Sequence, residues 1–236
     1  MRTSGNSWPR ASGGSEMPAL AAVDLYRFFH TRESETLALR GVNLTLAGGE
    51  MIAVVGPSGS GKSTLIACLA GLDEPDGGHV ELMGERLTRR PEAERARRRA
   101  ASIGILMQSG NLFPTLTVVD NIRLAMLLSG KVDLPRIERL LSDIGLADRK
   151  SARPGQLSGG ELARAGLAVA LAAAPRVLLA DEPTGEVDVA TEARILDFLG
   201  EQRKSGMGIL VATHSRALTA HADHVVHLRD GSVVDA

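Results

Sequence analysis

Eight consecutive residues, Gly56-Pro57-Ser58-Gly59-Ser60-Gly61-Lys62-Ser63, have the types and spacing that hold a chain of phosphates. The three glycines let the backbone wrap tightly enough for successive N–H groups to converge on phosphate oxygens. Lys62 supplies a full positive charge for the β- and γ-phosphates, the Ser63 hydroxyl is a ligand for Mg²⁺, and Thr64 completes the cradle. A second reactive element lies about 120 residues downstream, where an apolar run ends in Asp181-Glu182. Adjacent carboxylates on a strand point to opposite faces and so serve different roles. Asp181 is expected to hold Mg²⁺, and Glu182 to orient and deprotonate an attacking water. A phosphate cradle paired with such a strand end implies binding and hydrolysis of a nucleoside triphosphate, by positioning and electrostatics.

These groups meet only if strands carry them to one edge of a sheet. The apolar run Met51–Val55 reads as a buried strand leading into the phosphate loop. A helix is expected over residues 62–70, its N-terminus adding partial positive charge beside Lys62. Further strand patterns fall at 19–30, 39–46, 79–82, 103–107, 177–180 and 208–212. Helical periodicity covers 118–128, 135–146, 161–173 and 190–202, and a hairpin turn at Asp230-Gly231 ends the pattern. Residues 85–99, rich in arginine and glutamate at helical spacing, read as one charged helix. Strand–helix alternation in the last third gives an α/β fold with a mainly parallel sheet, whose ligands sit beyond the C-terminal strand ends.

General phosphate-loop chemistry does not explain Leu157-Ser158-Gly159-Gly160-Glu161. A serine and two glycines opening a helix make a second anion-seeking N-terminus. With the phosphate loop and Asp181-Glu182, this motif resembles the signature of ATP-binding cassette ATPases, and the resemblance covers nearly all of residues 20–236. It implies a P-loop NTPase core, mainly parallel with an antiparallel β subdomain, plus a helical subdomain at about 88–155 within an ATPase domain of residues 18–236. ATP and Mg²⁺ are the implied ligands. Two copies, or this chain and a related ATPase subunit, would sit head to tail. One phosphate loop and the other copy's Ser158, Gly159, Gly160 and Glu161 would then enclose each ATP. On the same basis Gln108 matches the family's glutamine that contacts Mg²⁺ and the attacking water. His214 matches the histidine that senses the γ-phosphate, and Asp188 the aspartate that crosses the dimer interface. For the aromatic that stacks on adenine, Phe29 is the first choice, with Phe28 and Tyr26 open.

Finer features resemble the lipoprotein-releasing and macrolide-export type, among them the DEPTG run from Asp181 and the segment from Asn111 to Val118. In that group this segment faces a separate integral-membrane permease, which implies a contact around Phe113 at the cytoplasmic face of the membrane. The chain departs from the family at Glu161, where Gln is commoner, along Leu162 to Val169, where only Arg164 matches, and at Glu186-Val187-Asp188. These departures imply slow intrinsic turnover that depends on the membrane partner. The alternative is an ATPase that signals through a membrane protein, as in cell-division control, with no cargo moved.

Composition bounds these readings. The 236 residues are 44% hydrophobic and 23% charged, as expected for a globular protein rather than a disordered one. A formal net charge of −1 gives no overall field for nucleic acid, and no nucleic-acid partner is expected. Cys68 alone excludes an internal disulfide framework, and its apolar surroundings make it a packed small hydrophobe. No run of about 18 uncharged apolar residues appears, so the chain is not expected to cross a membrane by itself. Residues 1–17, rich in Ser, Gly and Pro and containing Trp8, read as a flexible tail. His221, His224 and His227 read as solvent-facing, and the arginines from Arg95 to Arg99 as an exposed helix face.

Overall fold

A computed structural model of the chain describes residues 17–30, 35–185 and 187–234. The expected tail, Met17 excepted, and Glu186 lie outside the described residues. Along the chain come β1 (Leu20–His30), β2 (Glu35–Leu46), β3 (Met51–Val55), α1 (Lys62–Leu69), β4 (Gly77–Leu82) and β5 (Glu85–Arg86). Next are α2 (Glu92–Ser102), β6 (Ile103–Leu106), α3 (Val118–Leu128) and α4 (Leu134–Asp143). The last third runs α5 (Gly159–Leu171), β7 (Val177–Asp181), α6 (Val189–Lys204), β8 (Gly208–Ala212), α7 (Arg216–His221), β9 (His224–Arg229) and β10 (Ser232–Val234).

The central sheet has the order β10-β9-β3-β8-β7-β6. Every pair in it is parallel except β10 with β9. The antiparallel strands β2-β1-β4-β5 form a second sheet. Strands β3, β7 and β8 are continuous apolar runs because both faces of the sheet are covered. Their alternate residues divide between two cores. Met51, Ala53, Leu178, Ala180, Ile209 and Val211 join the core built with α3 to α6. Ile52, Val54, Leu179, Leu210 and Ala212 join the one built with α1 and the antiparallel sheet. Each fully buried leucine side chain contributes about 1.5–3 kcal/mol. Cys68 is packed in the second core, and burial pushes its thiol pKa up to about 12.

Three expectations are corrected. Residues 85–99 are not one helix, because Glu85 and Arg86 pair with Leu82 and Glu81 as β5, Leu87 and Thr88 are buried, and Arg89 has φ +57°. Pro91, which has no N–H to give, then precedes α2. On α2 the pairs Arg95–Glu92 and Arg98–Glu94 have the expected helical spacing, but Arg95 also reaches Glu74, Arg98 reaches Glu85 and Arg99 reaches Glu92. These three arginines are only partly exposed, so of the run Arg95 to Arg99 Arg97 alone matches the expected exposed face. The helix expected over 135–146 ends at Asp143 instead. Gly145, at φ +67°, turns the chain, and the bonds Gly145 N–H to Ser142 O and Leu146 N–H to Leu141 O close the helix end. The stretch 88–155 also includes β6, an edge strand of the central sheet, so the chain returns to the core between α2 and α3.

Candidate nucleotide site

The phosphate loop leaves β3 and opens α1 as its residues require. Gly61, at φ +105°, caps α1, and a Cβ there would lie 2.4 Å from the Ala38 carbonyl oxygen. A Cβ on Gly56 would lie 2.0 Å from the Leu228 carbonyl oxygen, so only glycine fits at either place. The Lys62 side chain folds back over the loop, and Nζ donates to the carbonyls of Gly56 (2.7 Å) and Pro57 (3.1 Å). Of the seven α-helices among the described residues, α3 to α7 carry side-chain N-caps and α2 has acids in its first turn. Helix α1 has neither, which leaves its first N–H groups and partial positive charge for an anion. The buried Ser60 hydroxyl, which has no hydrogen-bond partner among the described residues, lies in the same loop.

Asp181 is the buried last residue of β7. The expected opposite-face placement of the two acids does not hold, because Glu182 has already left the strand in the left-handed region at φ +50°. That turn brings both carboxylates to one cleft of about 910 Å³, which Ser58, Gly59, Lys62, Ser63, Gln108 and His214 also line. Glu182 is fixed by its N–H donating to Ala212 O (2.9 Å). Its Oε2 accepts from the His214 N–H (3.2 Å) and the Thr213 hydroxyl (3.4 Å). Oε1 is buried without a hydrogen-bond partner among the described residues, 3.6 Å from His214 Nε2.

Gln108 follows β6 in a loop pinned by Asn111, whose side chain accepts from Met107 N–H (2.8 Å) and donates to Met107 O (2.6 Å). Asn111 Cβ would be 3.2 Å from a Cβ at Gly166 of α5, so the glycine lets this pin sit close to the helix. Sequence reading missed Asn111 and also Glu192. Glu192 Oε1 accepts from Thr184 Oγ1 (3.1 Å) and Ser215 Oγ (2.6 Å), tying the loop after Glu182 to the residue after His214.

Ser158 caps α5 in a reciprocal box. Its hydroxyl accepts from Glu161 N–H (3.3 Å), and Glu161 Oε2 accepts from Ser158 N–H (2.8 Å). That backbone bond, with Arg149 at 3.2 Å, holds the Glu161 carboxyl below the usual glutamate range. Asp188 caps α6 by accepting from the N–H (3.0 Å) and hydroxyl (2.9 Å) of Thr191, which lower its pKa. Gly160 packs against Thr191, and Arg164 donates to Thr191 Oγ1 (3.3 Å). Within one chain Gly159 reaches the cleft, whereas Ser158, Gly160, Glu161 and Asp188 do not line it.

Beside the phosphate loop a second hollow, about 490 Å³, is lined by Phe29 together with Gly61, Ser63, Thr64, Arg40 and Asp230. Neither Phe28 nor Tyr26 lines it, and the Tyr26 ring lies against Gly41 and Gly77. Phe113, which lines neither hollow, is 59% exposed. The buried Asn121 accepts from Phe113 N–H (2.7 Å) and donates to the carbonyls of Phe113, Leu116 and Thr117, which fixes that loop.

A family model described as ABC transporter matches residues 39–185. The lipoprotein-releasing system ATP-binding protein LolD of Acinetobacter baylyi is 38% identical over 221 residues, 92% of this chain and 97% of that protein. The macrolide export ATP-binding/permease protein MacB of Chlorobium luteolum is 41% identical over 219 residues, 92% of this chain but 33% of MacB. Among solved structures, the dimeric post-hydrolysis state of the ATP-binding cassette MJ0796, bound to ADP and Pi, matches with a TM-score of 0.87 at 30% identity. It covers 92% of this chain and 97% of that one. The matched family span runs from β2 through the phosphate loop, Gln108 and the helix capped by Ser158 to the turn after Glu182, and so holds most of the residues gathered at the cleft. This chain therefore belongs to the ABC transporter family, as an ATP-binding and ATP-hydrolysing subunit.

Proposed function

We propose that two copies of this chain, or this chain and a related subunit, close head to tail on ATP and thereby drive a separate integral-membrane permease from the cytoplasmic face of the membrane. The observation that carries the reading is the cleft itself. It sets an uncapped helix N-terminus and Lys62 beside Glu182, whose buried Oε1 has no hydrogen-bond partner among the described residues. The loop N–H groups and Lys62 take the β- and γ-phosphates. Ser63, Asp181 and Gln108 offer a hydroxyl, a carboxylate and a carboxamide oxygen, the hard donors that suit Mg²⁺ completed by phosphate oxygens. When bound, Mg²⁺ neutralises charge on the phosphates. The Glu182 carboxylate accepts the proton of the attacking water, and His214, whose Nε2 lies 3.6 Å from Glu182 Oε1, senses the γ-phosphate. Phe29 stacks on the base. The second copy's Ser158, Gly159, Gly160 and Glu161 close the site, and Asp188 lies at the seam. Phe113, on its braced loop, meets the permease. No helix among the described residues is long and apolar enough to cross a membrane.

Complementation tests the head-to-tail arrangement. Lys62→Ala disables the phosphate loop and Ser158→Arg blocks the helix that caps the opposite site, so each protein alone should be inactive. Mixed, they should regain ATPase activity, because one hybrid site is intact. A mixture as inactive as its components would overturn the arrangement.

A further inference from the structure

We propose that Arg27 is a positioning residue for the nucleotide base: its guanidinium backs the ring of Phe29 and holds that ring at the edge of the base hollow. The proposal rests on the reading of Phe29 as the base-stacking residue.

Residues two apart on a strand share a face, and the Arg27 Cζ lies 4.7 Å from the centre of the Phe29 ring. Phe29 lines the hollow and Arg27 does not, so the guanidinium covers ring surface the hollow leaves unused. The guanidinium is itself fixed at three points. Nε and Nη2 donate to the two carboxylate oxygens of Asp73 (2.8 and 2.9 Å), and Nη1 donates to Asp76 Oδ2 (3.0 Å). Paired oxygens matched to a planar fork give direction as well as attraction. Asp73 also holds the Arg27 proton more tightly than usual.

The two aspartates connect this device to the phosphate end of the site. Asp73 N–H donates to the Ala67 carbonyl of α1, the helix that the phosphate loop opens. Asp76 accepts from the Phe28 N–H (2.7 Å), and its own N–H donates to Tyr26 O (2.9 Å), which fixes the strand just before Phe29. Base hollow, Phe29, Arg27, Asp73 and α1 thus form one continuous set of contacts. Phe29 is 40% exposed, and a ring so exposed, if unsupported, would sample several rotamers that base stacking must then freeze. A ring already held in place lowers that entropic cost, which is pre-organisation rather than a new contact to the nucleotide.

The test compares ATP with inorganic tripolyphosphate, a phosphate chain that has no base, by calorimetric titration of the full chain. Arg27→Met should weaken ATP about three- to five-fold, the size of an exposed cation–π contact. Tripolyphosphate binding should not change, and the loss should vanish when Phe29→Ala is already present. Equal weakening of both ligands, an unchanged ATP affinity, or a loss that persists beside Phe29→Ala would overturn the proposal. If Phe29→Ala weakens ATP while Arg27→Met does not, the proposal alone fails. If Phe29→Ala leaves ATP binding intact, the base-stacking reading fails and takes the proposal with it. Should Arg27→Met not fold, Arg27→Lys decides, since it keeps the charge beside Asp73 but lacks the flat fork. It should weaken ATP about two-fold and leave tripolyphosphate alone, and no selective loss for ATP would overturn the proposal.

Discussion

Glu182 and His214 hold each other in two ways: the Glu182 Oε2 accepts the His214 backbone N–H at 3.2 Å, while Oε1 stands 3.6 Å from His214 Nε2. One oxygen is committed to the scaffold, and the other is buried beside His214 with no hydrogen-bond partner among the described residues. The left-handed backbone of Glu182, bonded through its N–H to Ala212 at the end of β8, makes this possible. A carboxylate continuing the pleat of β7 would have pointed to the face opposite Asp181. Strain of this kind costs on the order of 1–3 kcal/mol and persists where surrounding bonds enforce it.

Thr213 is the buried support for that carboxylate, donating to Oε2 and accepting from Ser215 N–H (3.0 Å). Thr213→Val keeps the shape and removes the hydroxyl. Steady-state kinetics should show kcat reduced about three- to ten-fold, with KM for ATP little changed, consistent with the loss of one buried hydrogen bond. The melting temperature should fall modestly. An unchanged kcat would remove Thr213 from the account.

Glu192 couples three elements, because α6, which starts at the Asp188 cap, reaches through it to Thr184 and Ser215. Glu192→Ala should lower kcat several-fold and leave ATP affinity near normal, since no phosphate-loop residue is touched. Glu192→Gln retains an acceptor and should recover most of the loss. Equal damage from both variants would indicate that the negative charge, not the bridge, matters.

Acid stability carries a signature of the α5 cap. The Glu161 pKa is lowered from its ordinary value of 4.5, first by the Ser158 N–H and then by the Ser158 side chain and Arg149. A carboxylate stabilised in the fold adds stability above its ordinary pKa and loses it as pH falls through the lowered folded value. Glu161→Gln preserves the capping geometry but cannot titrate. Melting temperatures measured from neutral pH down should show the native protein ahead at neutral pH, with the gap closing below about pH 4.5. A gap that stays constant with pH would contradict the charge-assisted cap.

The phosphate loop, Asp181 and Glu182 were legible because their chemistry is local: residue type and spacing within a few positions define it. The central strands were legible because both faces are apolar. What escaped depends on partners far along the chain. Glu192 meets Ser215 from 23 residues away, and Arg164 meets Thr191 across 27, distances that no periodicity reports. Asn111 and Asn121 look like ordinary loop and helix polar residues until their backbone partners are seen. The misread helix over 85–99 had helical charge spacing, and the pairs Arg95–Glu92 and Arg98–Glu94 do form, but Leu87 and Thr88 are needed in the core and Pro91 delays the start. The left-handed turn at Glu182 left no trace in composition or pattern.

Glu182→Gln tests the central claim most directly. The amide keeps the size of the side chain and can still accept through one oxygen, but it cannot take the proton of the attacking water. With ATP and Mg²⁺ well above the binding constant, the molar mass in solution should double from the 24.9 kDa of one chain while phosphate release stops. ADP should not support the same dimer. A Glu182→Gln protein that stays monomeric at saturating ATP, or that hydrolyses ATP at the native rate, would contradict the account.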